Sequence, residues 1–328
     1  MKHTAPRPNT VSRVIVALAC LLALAARAGE TLRHEPISPI PLQHGQDPRR
    51  VELGARLFHD PRLSADNSVS CATCHRLAAG GADGLPRSIG IGGAKGVVKT
   101  PTVFNSGFNL AQGWDGRARS LEAQIEGPVH NPVRMGSSWP EVTAKLARDE
   151  EYPGLFRAIY NDGIRAEHVK DAIAAFERSL TTPNSRFDRW LRGEADALSA
   201  HELEGYALFK SYGCVACHQG VNVGGNLYQR MGTLGDYFAD RGGGIQQADL
   251  GGVNVTGREK DRHYFKVPSL RLAVLNPPYF HDGSAATALD AVRAMARYQL
   301  GRRIPDEDAA AITAFLGTLV GEHPRLGP

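Results

Sequence analysis

The sequence predicts a mainly α-helical chain built as two related domains with long ordered loops, and three observations predict it. Two Cys-x-x-Cys-His motifs, Cys71-Ala72-Thr73-Cys74-His75 and Cys214-Val215-Ala216-Cys217-His218, each follow a Gly-x-x-Leu-Phe run, Gly54–Phe58 and Gly205–Phe209. Apolar residues recur at helical spacing in the segments between and after these motifs, and strand patterns are sparse. The Gly-rich stretches 80–96 and 231–257 lack helical periodicity and read as ordered loops.

Taken in order, residues 1–28 read as a signal peptide. Lys2, Arg7 and Arg13 precede an apolar run from Val14 to Ala26, and Ala26-Arg27-Ala28 is a small-x-small cleavage site, so cleavage is expected after Ala28. The run is too short to span a bilayer comfortably, and no later segment could cross one. Removing the leader takes away four basic residues and no acidic one, so 38 Lys and Arg become 34 against 34 Asp and Glu, and the formal charge falls from +4 to zero. Nothing then marks a nucleic-acid partner, which needs a concentrated basic face. Cys20 leaves with the leader. The remaining cysteines, Cys71, Cys74, Cys214 and Cys217, all lie in the two motifs, leaving none for a structural disulfide.

The repeated order of the two copies points to an internal duplication. The Phe-to-Cys distance is 13 residues in the first and 5 in the second, so the first carries an insertion. Between them, Val169, Ile173, Phe176 and Leu180 form one face of a helix over Ala166 to Leu180, which Thr181-Thr182-Pro183-Asn184-Ser185 breaks. The boundary is placed there, giving domains 29–185 and 186–328. The second opens with Ser199-Ala200-His201-Glu202, a capping box. It closes with an amphipathic helix over Asp306 to Val320, carrying Ile312, Phe315, Leu316 and Leu319.

In Cys-x-x-Cys-His, two thiols on one turn reach the two vinyl groups of a porphyrin and the next imidazole binds its iron. The chain therefore reads as an exported c-type cytochrome with two cytochrome c-like haem domains, two covalently bound haem c groups and proximal ligands His75 and His218. A zinc site built from both Cys pairs would leave the trailing histidines unexplained. The sixth iron positions decide the chemistry. Met or His there suits electron transfer, and a vacancy permits reaction with peroxide. Mature methionines are Met135, Met231 and Met295, and the last reads by itself more readily as a helix core residue.

The chain resembles the bacterial diheme cytochrome c peroxidases and the related MauG enzymes. The resemblance runs over nearly all of the mature chain: Leu57–Ser64, both haem motifs, Pro101–Asn105, Trp114–Ala118, Phe265–Arg271 and Pro278–Gly283. It implies that the N-terminal haem is the low-potential, peroxidatic one and that the C-terminal haem is the high-potential electron-transfer one. It further implies Met295 as distal ligand of the second haem, where MauG has a Tyr, Trp114 between the haems and Gln124 in the active site. Arg271 and His281 fall in segments that surround the haems, and ordinary polar packing is the competing reading of both.

Three departures qualify the resemblance. After Ser88-Ile89-Gly90 the peroxidases carry a capping His, and here Ile91 cannot ligate iron. Their active-site Glu before Met is Arg134 in Asn131-Pro132-Val133-Arg134-Met135, and a guanidinium cannot act as a base near neutral pH, although it can stabilise charge. His130 is a substitute base, or a solvated loop residue. Lys99 stands where the family has a calcium-ligating Asn, while Asn276 replaces a Thr and Pro278 is retained. The ammonium either replaces the cation, making calcium doubtful, or points to solvent.

The resulting expectation is a periplasmic cytochrome c peroxidase-like oxidoreductase. It reduces hydrogen peroxide with electrons from a small donor protein, a cytochrome c or cupredoxin, and a homodimer is allowed. The alternatives are MauG-like oxidation of a partner protein and a non-catalytic diheme electron carrier or redox sensor.

Overall fold

The computed structural model describes residues 32–327, so the leader and Cys20 lie outside the described residues. In chain order the helices are α1 Pro48–His59, α2 Cys71–Cys74, α3 Leu121–His130, α4 Trp139–Ala147, α5 Tyr152–Arg157, α6 Ala166–Ser179, α7 Arg186–Leu191, α8 Ala200–Ser211, α9 Tyr237–Arg241, α10 Val253–Thr256, α11 Ala288–Ala294 and α12 Asp306–Gly317. Two short strands, β1 Tyr228–Arg230 and β2 Tyr264–Lys266, pair antiparallel with Gln229 opposite Phe265. The predicted loop stretches contain only short turns besides α9 and α10. Among the described residues no helix is long and apolar enough to cross a membrane.

The duplication is visible as two equivalent helix pairs, α1 against α6 and α8 against α12. The repeated glycine makes each crossing close. A Cβ on Gly54 would overlap the Ala172 carbonyl oxygen, and one on Gly205 would overlap that of Ala311. The repeated phenylalanine packs beside the motif histidine, with Phe58 at 6.4 Å from His75 and Phe209 at 6.5 Å from His218 between ring centroids. Val169, Ile173, Phe176 and Leu180 are buried as their spacing requires. Ser199 and Glu202 form the capping box of α8. The last helix ends at Gly317, three residues short of the predicted end. Thr318 folds its hydroxyl back onto the Phe315 carbonyl at 2.7 Å, while Leu319 stays buried beyond the helix.

Among the described residues one hydrophobic core lies under each motif, and a smaller aromatic cluster of Tyr237, Phe238 and Phe265 stands beside them. Each end of the described residues crosses to the core of the other motif. Residues 33–40 lie on the second domain, where Ile37 bridges Gly220 and joins its core. The C-terminal tail returns to the first, where Leu326 packs and the Gly327 amide donates to the Ala78 carbonyl at 3.2 Å. The 99–118 segment is wedged between the cores. Its amides reach the Leu180 carbonyl from Asn105 at 2.8 Å, the Gly225 carbonyl from Leu110 at 2.8 Å and the His281 carbonyl from Lys99 at 2.9 Å. This wedge carries Trp114.

Candidate functional site

Both motifs form a single tight turn. The first is the helix α2, entered through Ser70, whose amide donates to Thr73 Oγ1 at 3.0 Å. The second is a 3-10 turn, Cys214–Ala216, entered through a left-handed Gly213. None of the four motif cysteines forms a disulfide among the described residues. Nδ1 of His75 lies 3.2 Å from the Gly81 carbonyl, and Nδ1 of His218 lies 3.3 Å from that of Val223. A carbonyl only accepts, so each Nδ1 carries the proton and each Nε2 keeps its lone pair for a metal. Burial lowers the pKa of both rings, that of His218 to about 4, which keeps them neutral and ligand-ready.

A largely apolar cavity adjoins the second motif. His218, Cys214, Cys217, Met295, Trp114 and Lys266 are on its wall. Met295 sits where α11 passes into a π-helical turn, Met295–Gln299, a local widening of the kind that often marks functional positions. Met231 also touches this cavity but packs with the Tyr237, Phe238 and Phe265 rings. Met135 is buried in the first core. Lys266 escaped the sequence reading. It is buried, its ammonium has no hydrogen-bond or ion-pair partner among the described residues, and burial lowers its pKa to about 8. Its position inside Phe265-Lys266-Val267, a cation in a buried strand, was the available signal. Four thiols in two pairs, two imidazoles with a free Nε2, and a lone ammonium on an apolar wall fit haem c, whose propionates would pair with that ammonium. Removing a positive charge from this wall stabilises the oxidised iron. Lys266→Met is therefore expected to lower the potential of the C-terminal haem by on the order of 50 mV in a spectroelectrochemical titration, and an unchanged potential would count against the assignment.

Trp114 is held at the meeting point of the domains. Its Nε1 donates to the Lys99 carbonyl at 2.8 Å, and its own carbonyl accepts from the Lys266 amide at 2.9 Å. Earlier in the same wedge, the Val103 amide donates to the Gly81 carbonyl, which is also the partner of His75. The segment thus links the surroundings of both motif histidines.

Around the first motif, the 131–137 loop folds over the 88–94 loop, with the Ile91 amide donating to the Arg134 carbonyl at 2.9 Å. Ile91 packs against the first core and offers no ligand atom. Arg134 is half-buried beside Cys74, is repelled by Arg117, and makes no ion pair or side-chain hydrogen bond among the described residues. Gln124 lies half-buried on α3 and makes no side-chain hydrogen bond there. His130 is exposed and already bonded to Glu126 Oε2 at 3.0 Å, which favours the solvated reading over that of a base. Glu177 on α6 was missed by the sequence reading. It is buried near Cys71, its Oε2 has no partner, and burial raises its pKa to about 8.

Three polar residues take a definite place. Lys99 is 3% exposed, and its Nζ donates to the Thr100 carbonyl at 3.3 Å, so the solvent-pointing alternative is overturned. Burial of the ammonium is offset in part by Asp83 nearby. Arg271 touches the cavity, yet its guanidinium is used by protein groups: Asp188 at 2.8 Å, the Val221 carbonyl at 2.9 Å, the Ser38 carbonyl at 3.0 Å and Ser185 Oγ at 3.3 Å. It acts as a structural tie, which was the competing reading. His281 is also buried, stacked on Phe265, with Nε2 2.6 Å from Asp249 Oδ1. Asp249, His281 and Asp282 are close enough to share a metal, but Arg241 already bridges both carboxylates, at 2.8 Å and 2.6 Å.

Comparisons with known proteins show the family and the fold. Residues 48–196 match the CCP_MauG family model, described as di-haem cytochrome c peroxidase. The chain is 48% identical over 292 residues to the cytochrome c peroxidase Ccp of Escherichia coli K12, covering 89% of this chain and 62% of that longer protein. It is 43% identical over 319 residues to the cytochrome c551 peroxidase of Nitrosomonas europaea, covering 97% and 93%. To the methylamine utilization protein MauG of Methylorubrum extorquens it is 38% identical over 272 residues, covering 82% and 74%. Its fold is similar to the crystal structure of a MauG-like protein associated with microbial copper homeostasis, with a TM-score of 0.75 and 27% identity over 90% of this chain and 97% of the other.

Proposed function

Since this chain belongs to the di-haem cytochrome c peroxidase and MauG family, we propose that it is an exported, periplasmic oxidoreductase that reduces hydrogen peroxide to water. Its electrons come from a small redox protein, a cytochrome c or cupredoxin, through the weak, transient docking usual for such contacts. Cys71, Cys74 and His75 would hold one haem c and Cys214, Cys217 and His218 the other. Bound haem would supply one-electron chemistry and a centre at which peroxide reacts. The observation that carries this reading is that His218, Met295 and Trp114 share one cavity, while the Trp114 indole is bonded to the wedge that also reaches the carbonyl partner of His75.

The side chains divide the work. Met295, on the wall of the cavity that also holds His218, would offer a thioether to the second haem and so favour its reduced state. Trp114 shortens the electron path between the centres. Ile91 offers no ligand atom, so this loop would leave the first haem open to peroxide. Arg134 offers a fixed cation to negative charge developing on the leaving oxygen, and Gln124 orients the bound peroxide. Lys99 takes the place of an interdomain calcium ion, so metal analysis of the holoprotein is expected to return iron without stoichiometric calcium.

The test is a peroxide assay with reduced cytochrome c as donor, joined to a spectrum of the oxidised protein. The expected result is peroxide-dependent oxidation of the donor and one haem lacking a strong-field sixth ligand. No donor oxidation, with two six-coordinate low-spin haems, would favour an electron carrier. A long-lived oxidised state that ignores the donor would favour oxidation of a partner protein, a second reading to which the free position beside Ile91 also lends support.

A further inference from the structure

The aromatic cluster outside the second cavity has no part in the reading above, and it joins that cavity to the surface ring by ring. Trp114 and Phe280 both touch the cavity and both pack on the group formed by Tyr237, Phe238 and Phe265. The Tyr237 ring lies 5.5 Å from Phe280 and 5.4 Å from Tyr298 between centroids, each nearly perpendicular. A second approach runs from Trp114 to His281 at 6.4 Å, to Phe238 at 6.2 Å and to Tyr237 at 5.2 Å. All these spacings are those of rings in contact. Electron transfer weakens steeply with distance, so a row of touching rings, two of them oxidisable phenols, carries an oxidising equivalent farther than one jump.

Phenols lose a proton when they lose an electron, so each needs an acceptor. The Tyr237 hydroxyl is bonded to Ser284 Oγ, which donates to Asp282 Oδ1 at 2.7 Å. The Tyr298 hydroxyl donates to Asp240 Oδ2 at 2.9 Å, at the surface. Asp240 also pairs with Arg297 at 2.7 Å, and that guanidinium lies 4.9 Å from the Tyr298 ring. A cation over the ring opposes a radical cation, so electron loss and proton transfer to Asp240 are coupled there.

We propose that Tyr237 and Tyr298 form a second electron port, at which small phenols in solution are oxidised one electron at a time. The proposal rests on the peroxidase reading, since peroxide supplies the oxidising equivalents. Tyr298 gives one electron, through Tyr237 and Trp114, to the oxidised haem pair, and gives its proton to Asp240, which releases it to solvent at the surface, while the reduction of peroxide takes up one proton from solvent for each electron. The neutral tyrosyl then takes one electron and one proton from a phenol, which leaves as a phenoxyl radical. Two such turns consume one hydrogen peroxide and two phenols and yield two waters and two phenoxyl radicals.

The experiment uses the holoprotein and peroxide without a protein donor. A nitroso spin trap followed by peptide mass spectrometry should place the adduct on Tyr298. Tyr298→Phe and Tyr237→Phe should each abolish that adduct and reduce oxidation of guaiacol to the uncatalysed background. Tyr298→Phe should oxidise reduced cytochrome c at the wild-type rate. Tyr206→Phe serves as a control, because Tyr206 reaches His218 through Phe315 and Phe209 on the other side. An adduct on Tyr206, no adduct at all, or guaiacol oxidation that survives in Tyr298→Phe overturns the port while leaving cytochrome c oxidation intact. Loss of cytochrome c oxidation in the wild type overturns the peroxidase reading and the port together.

Discussion

Replacing Arg271 by alanine is expected to cost about 3–5 kcal/mol of folding stability while leaving the chemistry of both motifs in place. The side chains of Arg271 and Asp188 are both 0% exposed and 2.8 Å apart. The guanidinium also satisfies carbonyls on two further segments, at Ser38 and Val221, and the hydroxyl of Ser185. It thereby ties the crossing N-terminal segment, the start of α7 and the loop after the second motif to one point. Truncating it strands the Asp188 charge and several acceptors without solvent, and that stranded charge is what makes the loss large. Denaturant unfolding of the holoprotein measures the loss. Arg271→Ala combined with Asp188→Ala should recover part of it, because the orphaned charge goes too. A single-variant loss below about 1 kcal/mol would show that the pair does not hold these segments together.

Arg134→Glu is expected to raise peroxide turnover by about 10²–10⁴-fold near neutral pH, the usual worth of a placed acid-base group. Heterolysis of a peroxide needs a proton moved from the inner to the leaving oxygen. A guanidinium stabilises charge but cannot take that proton. Arg134 is half-buried beside Cys74 and has no partner among the described residues, so a carboxylate placed there breaks no existing ion pair. Arg134→Lys should bring no gain, since it also lacks a base. His130→Ala should leave turnover unchanged, because that exposed ring is bonded to Glu126. Steady-state assays with reduced cytochrome c compare the four proteins. Wild-type turnover equal to that of Arg134→Glu would mean that the arginine, or a group not named here, already suffices.

The parts legible in the sequence are those whose physics is local. Helix α6 could be drawn nearly to its last residue, because Val169, Ile173 and Phe176 repeat with the helical period. The Ser199 and Glu202 cap could be read because its partners are three residues apart. The two tight motifs could be read because both thiols and the imidazole must reach one porphyrin from a single turn. The duplication was equally plain, although the purpose of its glycine was not. Gly54 and Gly205 matter because of carbonyls on α6 and α12, more than a hundred residues away in each case.

By itself, then, the sequence determined the two haem-binding turns, the mainly helical class and the family resemblance. Only the tertiary structure decided what the polar residues outside these turns do. Lys99 turns inward because the wedge that carries it is packed between two cores, so solvent is not within its reach. Arg271 holds segments together because Asp188 and Ser38, far away in the chain, fold onto it, and Tyr237 joins Tyr298 because α9 and the turn after Met295 meet. These outcomes depend on which distant surfaces meet and exclude water from one another, and residue order carries no periodic signal of such meetings.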